Sequence, residues 1–243
     1  MTKVPKNPEE TFGDITDDFK KVFGSDLVSI ILYGSGASGH YVPGKSDLNF
    51  FVILSKEGID NLGKAIDSVA RWRKRKVAIP IFMTKEELLS SLDCYPIEFL
   101  SMKRHYVVVY GEDVLGGLSF EPRNLRLQIE RELKGKILHL RRGLLEAEGR
   151  AKRVRELIQS SFIAFISIFK ALLHFKGIDI PHSRRDIIRA VAKTYSINED
   201  IFLKCTDIKE DTDRVPASEV ITVFKDYMKE IEKLSEEVDR MAV

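Results

Sequence analysis

Apolar residues fall into two patterns along the first half of the chain, helical spacing and short continuous runs. Phe12, Ile15, Phe19, Val22 and Phe23 stand among charges at helical spacing over residues 8–23, and Gly24 ends that segment. Residues 27–33 then form a β-branched apolar run that stops at Gly34-Ser35-Gly36. A second run, 48–54, is entered through a turn containing Pro43, Gly44 and Ser46. Both read as strands. An amphipathic helix is predicted over 58–75 and a third strand over 77–83. Thr84 follows as an N-cap with Glu87 three residues on. A short strand at 106–110 closes this part at Gly111.

From Asn124 onward helical spacing takes over, with segments near 124–148, 151–176, 184–194, 198–204 and 217–240. Pro181 and Pro216 stand near helix starts, where a missing N–H costs least. Strands with helices followed by helices alone predict an α/β (α+β) protein of two domains. The first, residues 1–118, is a small mixed-sheet domain; the second, residues 119–243, is an all-α helical bundle.

Composition narrows the function only a little. The 243 residues are 44% hydrophobic and 31% charged, with a net charge of +2, which suits a folded globular chain. Residues 1–118 hold 15 basic and 16 acidic side chains, and the remainder 24 and 21, so charge alone does not imply nucleic acid. The beginning MTKVPKNPEE lacks a signal-peptide core. The apolar stretch from Ser161 to Phe175 is interrupted by Ser167, Lys170 and His174, so a buried helix is expected there, with no membrane span. Cys94 and Cys205 show no ligand spacing, and a cytoplasmic location is the simple expectation.

Chemistry concentrates in one segment: Ile31-Leu32-Tyr33-Gly34-Ser35-Gly36, then Ser46-Asp47-Leu48-Asn49-Phe50. A strand ends in Gly-Ser, and 12 residues after Ser35 the next strand opens on Asp47. Glycine allows close approach of backbone N–H groups to a phosphate, and the serine hydroxyl adds a donor. Side chains at i and i+2 of a strand share a face. This segment resembles the signature of the polymerase-β-like nucleotidyltransferase superfamily. The stretch from Pro96 through Glu98 to His105, with Tyr110-Gly111-Glu112-Asp113 and the helical tail around Leu140-Arg141-Arg142, is similar to aminoglycoside adenylyltransferase-like proteins.

The resemblance implies that Gly34, Ser35 and Ser46 bind a nucleoside triphosphate, ATP being the expected nucleotide. It implies that Asp47 and Asn49 ligate Mg²⁺, and that a hydroxyl on a small-molecule or macromolecular acceptor receives the nucleoside monophosphate. A homodimer is compatible with it. Two departures matter. Asn49 stands where the family has a second acid, and the predicted strand 77–83 carries no third one. At 4 Å and an effective dielectric of about 20, unit charges interact by about 4 kcal/mol. Losing two carboxylates therefore leaves a weak or single-ion site.

Candidates for a replacement acid are Asp93, Glu98 and Glu112. Glu98 stands out because it lies among Ile97, Phe99 and Leu100 after Pro96; its alternative role is as a first-turn charge on a helix. The chain also carries two basic runs. Arg71 to Lys76 could steer a polyphosphate, with Trp72 stacking on a base, or form a solvated helix end. Residues 131–155 hold nine basic side chains against three acidic ones. From that run Lys134 is the candidate nucleotide contact, with Lys136, Arg141 and Arg142 beside it; a solvated face is the alternative. A degenerate, non-catalytic nucleotide-binding or protein-interaction module is the competing reading of the whole chain.

Overall fold

The computed structural model describes residues 4–212 and 215–241, and the chain divides into two compact units, Met1–Phe120 and Glu121–Val243. The first unit is built on a four-stranded mixed sheet: β1 (Leu27–Tyr33), β2 (Asn49–Leu54), β3 (Ile81–Met83) and β4 (Tyr106–Gly111), in the order β3-β2-β1-β4. β1 runs antiparallel to both β2 and β4, whereas β2 and β3 are parallel. Its helices are α1 (Phe12–Phe23), α2 (Lys56–Asp60), α3 (Ile66–Arg73), α4 (Lys85–Ser90) and α5 (Pro96–Arg104).

Both faces of the sheet are covered. Ile30, Leu32, Phe50 and Val52 pack with Ile15 and Phe19 of α1 and with Trp72 of α3. Ile31, Phe51 and Ile53 pack on the other side with Leu88 of α4, Phe99 and Met102 of α5, and Leu115 and Leu118. β2 is buried from both sides, which is why Phe50 to Leu54 reads as an unbroken apolar run without alternation.

Some predicted elements came out differently. The helix expected over 58–75 is α2, a 3₁₀ turn at Leu62–Ala65, and α3. Asn61 ends α2, its side-chain amide donating to the Glu57 carbonyl at 2.8 Å. The strand expected over 77–83 is shortened to β3, with Val77 joined to the sheet side by an isolated bridge to Leu48. Pro80 lacks the N–H a longer ladder would use. The capping box at Thr84 is present, with Glu87 reaching back to the Thr84 N–H at 2.8 Å.

Gly111 ends β4 at φ +78°, and a Cβ there would lie 1.9 Å from the Val28 carbonyl oxygen. Only glycine fits. The buried Ser29 hydroxyl donates to the Glu112 carbonyl at 2.7 Å next to it.

The second unit is helical: α6 (Pro122–Glu146), α7 (Ala151–Phe175), α8 (Arg184–Tyr195), α9 (Glu199–Lys209) and α10 (Val220–Asp239). The penultimate predicted helix, 198–204, extends to Lys209, beginning at an Asn198 cap that accepts from the Asp200 N–H at 3.0 Å. α7 supplies the core: Phe162, Phe165 and Phe169 are fully buried. Phe165 meets Tyr227 of α10 edge-on at 5.5 Å, and Phe169 meets Phe202 of α9 at 5.2 Å. Such pairs add about 0.5–1.5 kcal/mol beyond area burial. Among the described residues α7 is long and apolar enough to cross a membrane, and 50% of its most apolar window is buried inside the fold.

Candidate functional site

The β1–β2 connection brings five of the seven sequence-predicted residues onto one stretch of structure. β1 ends at Tyr33, and Gly34–Gly36 turn immediately in one 3₁₀ turn. Gly34 has φ +73°, and a Cβ on it would stand 3.4 Å from Asn49 Nδ2, so the turn lies against the Asn49 side chain. The Gly34 carbonyl accepts from the N–H groups of Ala37 and Ser38 at 3.1 and 3.0 Å. Ser46 closes the far end of the connection. Its hydroxyl accepts from the Val42 N–H at 3.2 Å, and its own N–H donates to the Val42 carbonyl at 2.8 Å.

Asp47 and Asn49 flank the fully buried Leu48, so their side chains leave the same face of the chain, roughly 7 Å apart at strand rise. The Asn49 amide donates to the Asp47 carbonyl at 3.4 Å. Register places Tyr33 opposite Asn49 on one side and opposite Tyr106 on the other, so the three form a polar row across the sheet end. Burial raises the Tyr33 phenol above its ordinary range. Tyr106 donates to Asp113 at 2.8 Å, and Asp113 also accepts from the N–H groups of Leu115 and Gly116. Tyr41 is raised as well, first by burial and then by the negative charges of Glu10 and Asp47.

Lys76 completes the group. Leu48 forms a parallel bridge to Val77, its N–H donating to the Lys76 carbonyl at 2.9 Å. That bridge sets Lys76 beside Asp47, with Nζ 3.8 Å from Oδ1 and the two side chains 46% and 54% exposed. A pair so open to water contributes about 0–1 kcal/mol, too little to hold the ammonium against a competing phosphate. Lys76 also has φ +64°. It is the C′ residue of a helix-end motif in which the Val77 N–H reaches the Trp72 carbonyl and the Lys76 N–H the Arg73 carbonyl, each at 3.2 Å. Glycine is the usual residue there, and another side chain costs about 1–2 kcal/mol. Glu148, Ser196 and Asp211 share that conformation. Lys76 differs from them in the carboxylate it faces.

Two predicted residues lie on other elements. Glu98 is exposed in the first turn of α5 after Pro96, a favourable place for an acid at a helix N-terminus. α5 packs on the sheet face that Asn49 shares with Phe51 and Ile53. Lys134 belongs to α6, where Glu130 at 2.5 Å and Asp239 at 3.3 Å hold its ammonium. Glu112, another candidate acid, pairs with Lys85 at 2.5 Å.

The basic runs are largely engaged. Arg71 binds Asp18 of α1 at 2.8 Å, and Arg75 binds Asp14 at 3.1 Å. Trp72 is not offered to a base: it is 4% exposed, and its indole N–H donates to Asp18 at 2.9 Å. In the helical unit Lys136 pairs with Glu132, Arg141 with Glu232, and Arg142 with Glu146.

Among the described residues no three or more His, Cys, Asp or Glu side chains are grouped to hold a metal ion. The oxygen donors at the β2 start are one half-exposed carboxylate and one amide. That set fits a single Mg²⁺ shared with substrate phosphates, the way Mg²⁺ is commonly held. It does not fit a pair of ions. Compared with models of known protein families and with curated proteins, the chain matches none.

Tyr33, Tyr41, Lys76 and Tyr106 were not singled out as site residues from the sequence. Lys76 was visible only as the end of a basic run, because its pairing with Asp47 depends on a strand register that residue spacing does not encode. Tyr106 had a signal, being the first residue of a predicted strand.

Proposed function

We propose that the α/β unit is a cytoplasmic nucleotidyltransferase-type module. It binds a nucleoside triphosphate, with ATP the expected nucleotide, and transfers the nucleoside monophosphate to a hydroxyl of a small-molecule or macromolecular acceptor. The observation that carries this reading is the Gly34–Gly36 turn lying against Asn49, with Asp47 on the same face at the mouth of β2. Gly34 and Ser35 bind phosphate oxygens through backbone N–H groups and the serine hydroxyl. Asp47 and Asn49 would hold one Mg²⁺. When bound, that ion polarises the phosphates and offsets their charge.

In the transfer, a lone pair of the acceptor hydroxyl forms a bond to the α-phosphorus. The bond from that phosphorus to the oxygen bridging to the β-phosphate breaks, and pyrophosphate leaves with the electron pair. The hydroxyl proton passes to a carboxylate, for which Glu98 is the candidate. With one ion in place of two, less of the charge on the transferring phosphate is offset, and slow turnover is expected.

A second reading keeps nucleotide binding without transfer. It is favoured by β3, Ile81-Phe82-Met83, which carries no carboxylate. Isothermal titration of the full chain with ATP, in Mg²⁺ and in EDTA, together with a pyrophosphate-release assay over polyhydroxylated acceptors, separates the possibilities. Mg²⁺ is expected to tighten ATP binding, and Asp47→Ala to abolish that gain. Binding without pyrophosphate release would leave the non-catalytic module. If no nucleoside triphosphate bound in either buffer, the nucleotide reading would be lost.

A further inference from the structure

We propose that Lys76 is the resident cation of this site: its ammonium turns from Asp47 to the bound triphosphate and supplies positive charge that a second metal ion would otherwise bring. The inference rests on the reading of the Gly34–Asp47 segment as a nucleotide site and deepens it, because it makes part of nucleotide binding independent of metal.

Three observations converge on this residue. The chain is held just after it, by the Leu48 N–H on the Lys76 carbonyl and by the Ala78 N–H on the Leu48 carbonyl, each at 2.9 Å, and its own N–H is held by the Arg73 carbonyl at 3.2 Å. Lys76 therefore stays beside the strand end that carries Asp47 and Asn49. Neighbouring cations of the same run face elsewhere: Arg71 and Arg75 are drawn to Asp18 and Asp14 of α1, and Arg75 stacks on Trp72 at 4.5 Å. Lys76 faces Asp47 at 3.8 Å. Finally, the backbone at Lys76 is left-handed, φ +64°, in a helix-end motif that favours glycine. Lysine is a poor choice for the backbone there, and a strained residue of this kind is one that its side chain can explain.

The charges agree. Asn49 for an acid leaves Asp47 as the one negative charge of the i, i+2 pair. A site with a single carboxylate and a triphosphate lacks positive charge rather than negative. An ammonium on a flexible stem is a standard phosphate partner. Its weak, half-exposed pairing with Asp47 shields the carboxylate when no nucleotide is present and yields to a more highly charged anion.

The test uses the full chain, ATP as probe, and titration in Mg²⁺ and in EDTA. Wild type is expected to keep measurable ATP binding in EDTA. Lys76→Gly is expected to melt no lower than wild type, since glycine suits φ +64°, yet to bind ATP at least about tenfold more weakly in EDTA. Lys76→Arg should retain most of the binding. Asp47→Asn should bind metal-free ATP as well as or better than wild type, having lost a negative charge, while losing the gain from Mg²⁺. Wild-type binding seen only with Mg²⁺, or unchanged in Lys76→Gly, would overturn the role of Lys76 and leave the nucleotide site standing. Binding to no nucleoside triphosphate in either buffer would overturn both.

Discussion

Lys134 and Lys76 are both half-exposed lysines within reach of carboxylates, and they show how little a count of charges says. Lys134 lies one helical turn from Glu130 and also reaches Asp239; hydrogen bonds to these two acids raise it above the ordinary lysine range. Its neighbours Lys136 and Arg142 close on Glu132 and Glu146 in the same i, i+4 manner. These cations of the 131–155 run therefore spend their charge on acids of the helical unit. Lys76 meets Asp47 through a parallel bridge between segments about thirty positions apart, at a longer distance and at a strand end. An acidic residue at i±4 predicts a self-neutralised cation; a cation at a strand mouth is defined by register.

The units also differ in what holds them together, and substitutions can test that. The largest effect is expected in the helical unit, whose stability lies in α7 and its partners. Phe169→Ala removes a fully buried ring and should cost about 3–5 kcal/mol in urea unfolding; a loss below about 1 kcal/mol would mean that charge pairs matter more there than packing. Next is Gly111→Ala in β4. Its new methyl would meet the Val28 carbonyl at 1.9 Å, so β1 and β4 must separate, at about 3 kcal/mol. A neutral result would show the β4 end to be pliant and would weaken the contrast between a backbone-constrained sheet and a side-chain-packed bundle. The smallest effect is expected from Lys134→Ala, which should leave the melting temperature nearly unchanged and ATP affinity within about twofold. A clear loss of ATP binding would return the helical unit's basic segment to the site and erase the distinction from Lys76.

Much of the architecture could be read from residue order. Helical spacing located the long helices and short apolar runs located β1, β2 and β4, because burying one face of a helix leaves a periodic trace and burying both faces of a strand leaves an unbroken run. Thr84 with Glu87 announced α4, since a capping box is local. Less visible were the break at Asn61, where a polar side chain competes for the backbone within an otherwise helical pattern, and the shortening of β3 by Pro80. Trp72 shows the reverse error. Flanked by arginines it looks exposed, yet α1 buries its ring and Asp18 takes its indole N–H.

The sequence by itself determined the Gly34-Ser35 to Asp47 spacing, the amide of Asn49 two residues after Asp47, and the succession of strands and helices, because each is a matter of residue type and local distance. Tertiary structure alone decided that Asn49 packs against Gly34, that Tyr33 and Tyr106 extend the polar row, and that Lys76 stands beside Asp47. Those contacts depend on which strands pair, in which direction and in what register, and pairing is settled by burial of the whole sheet rather than by any residue in it.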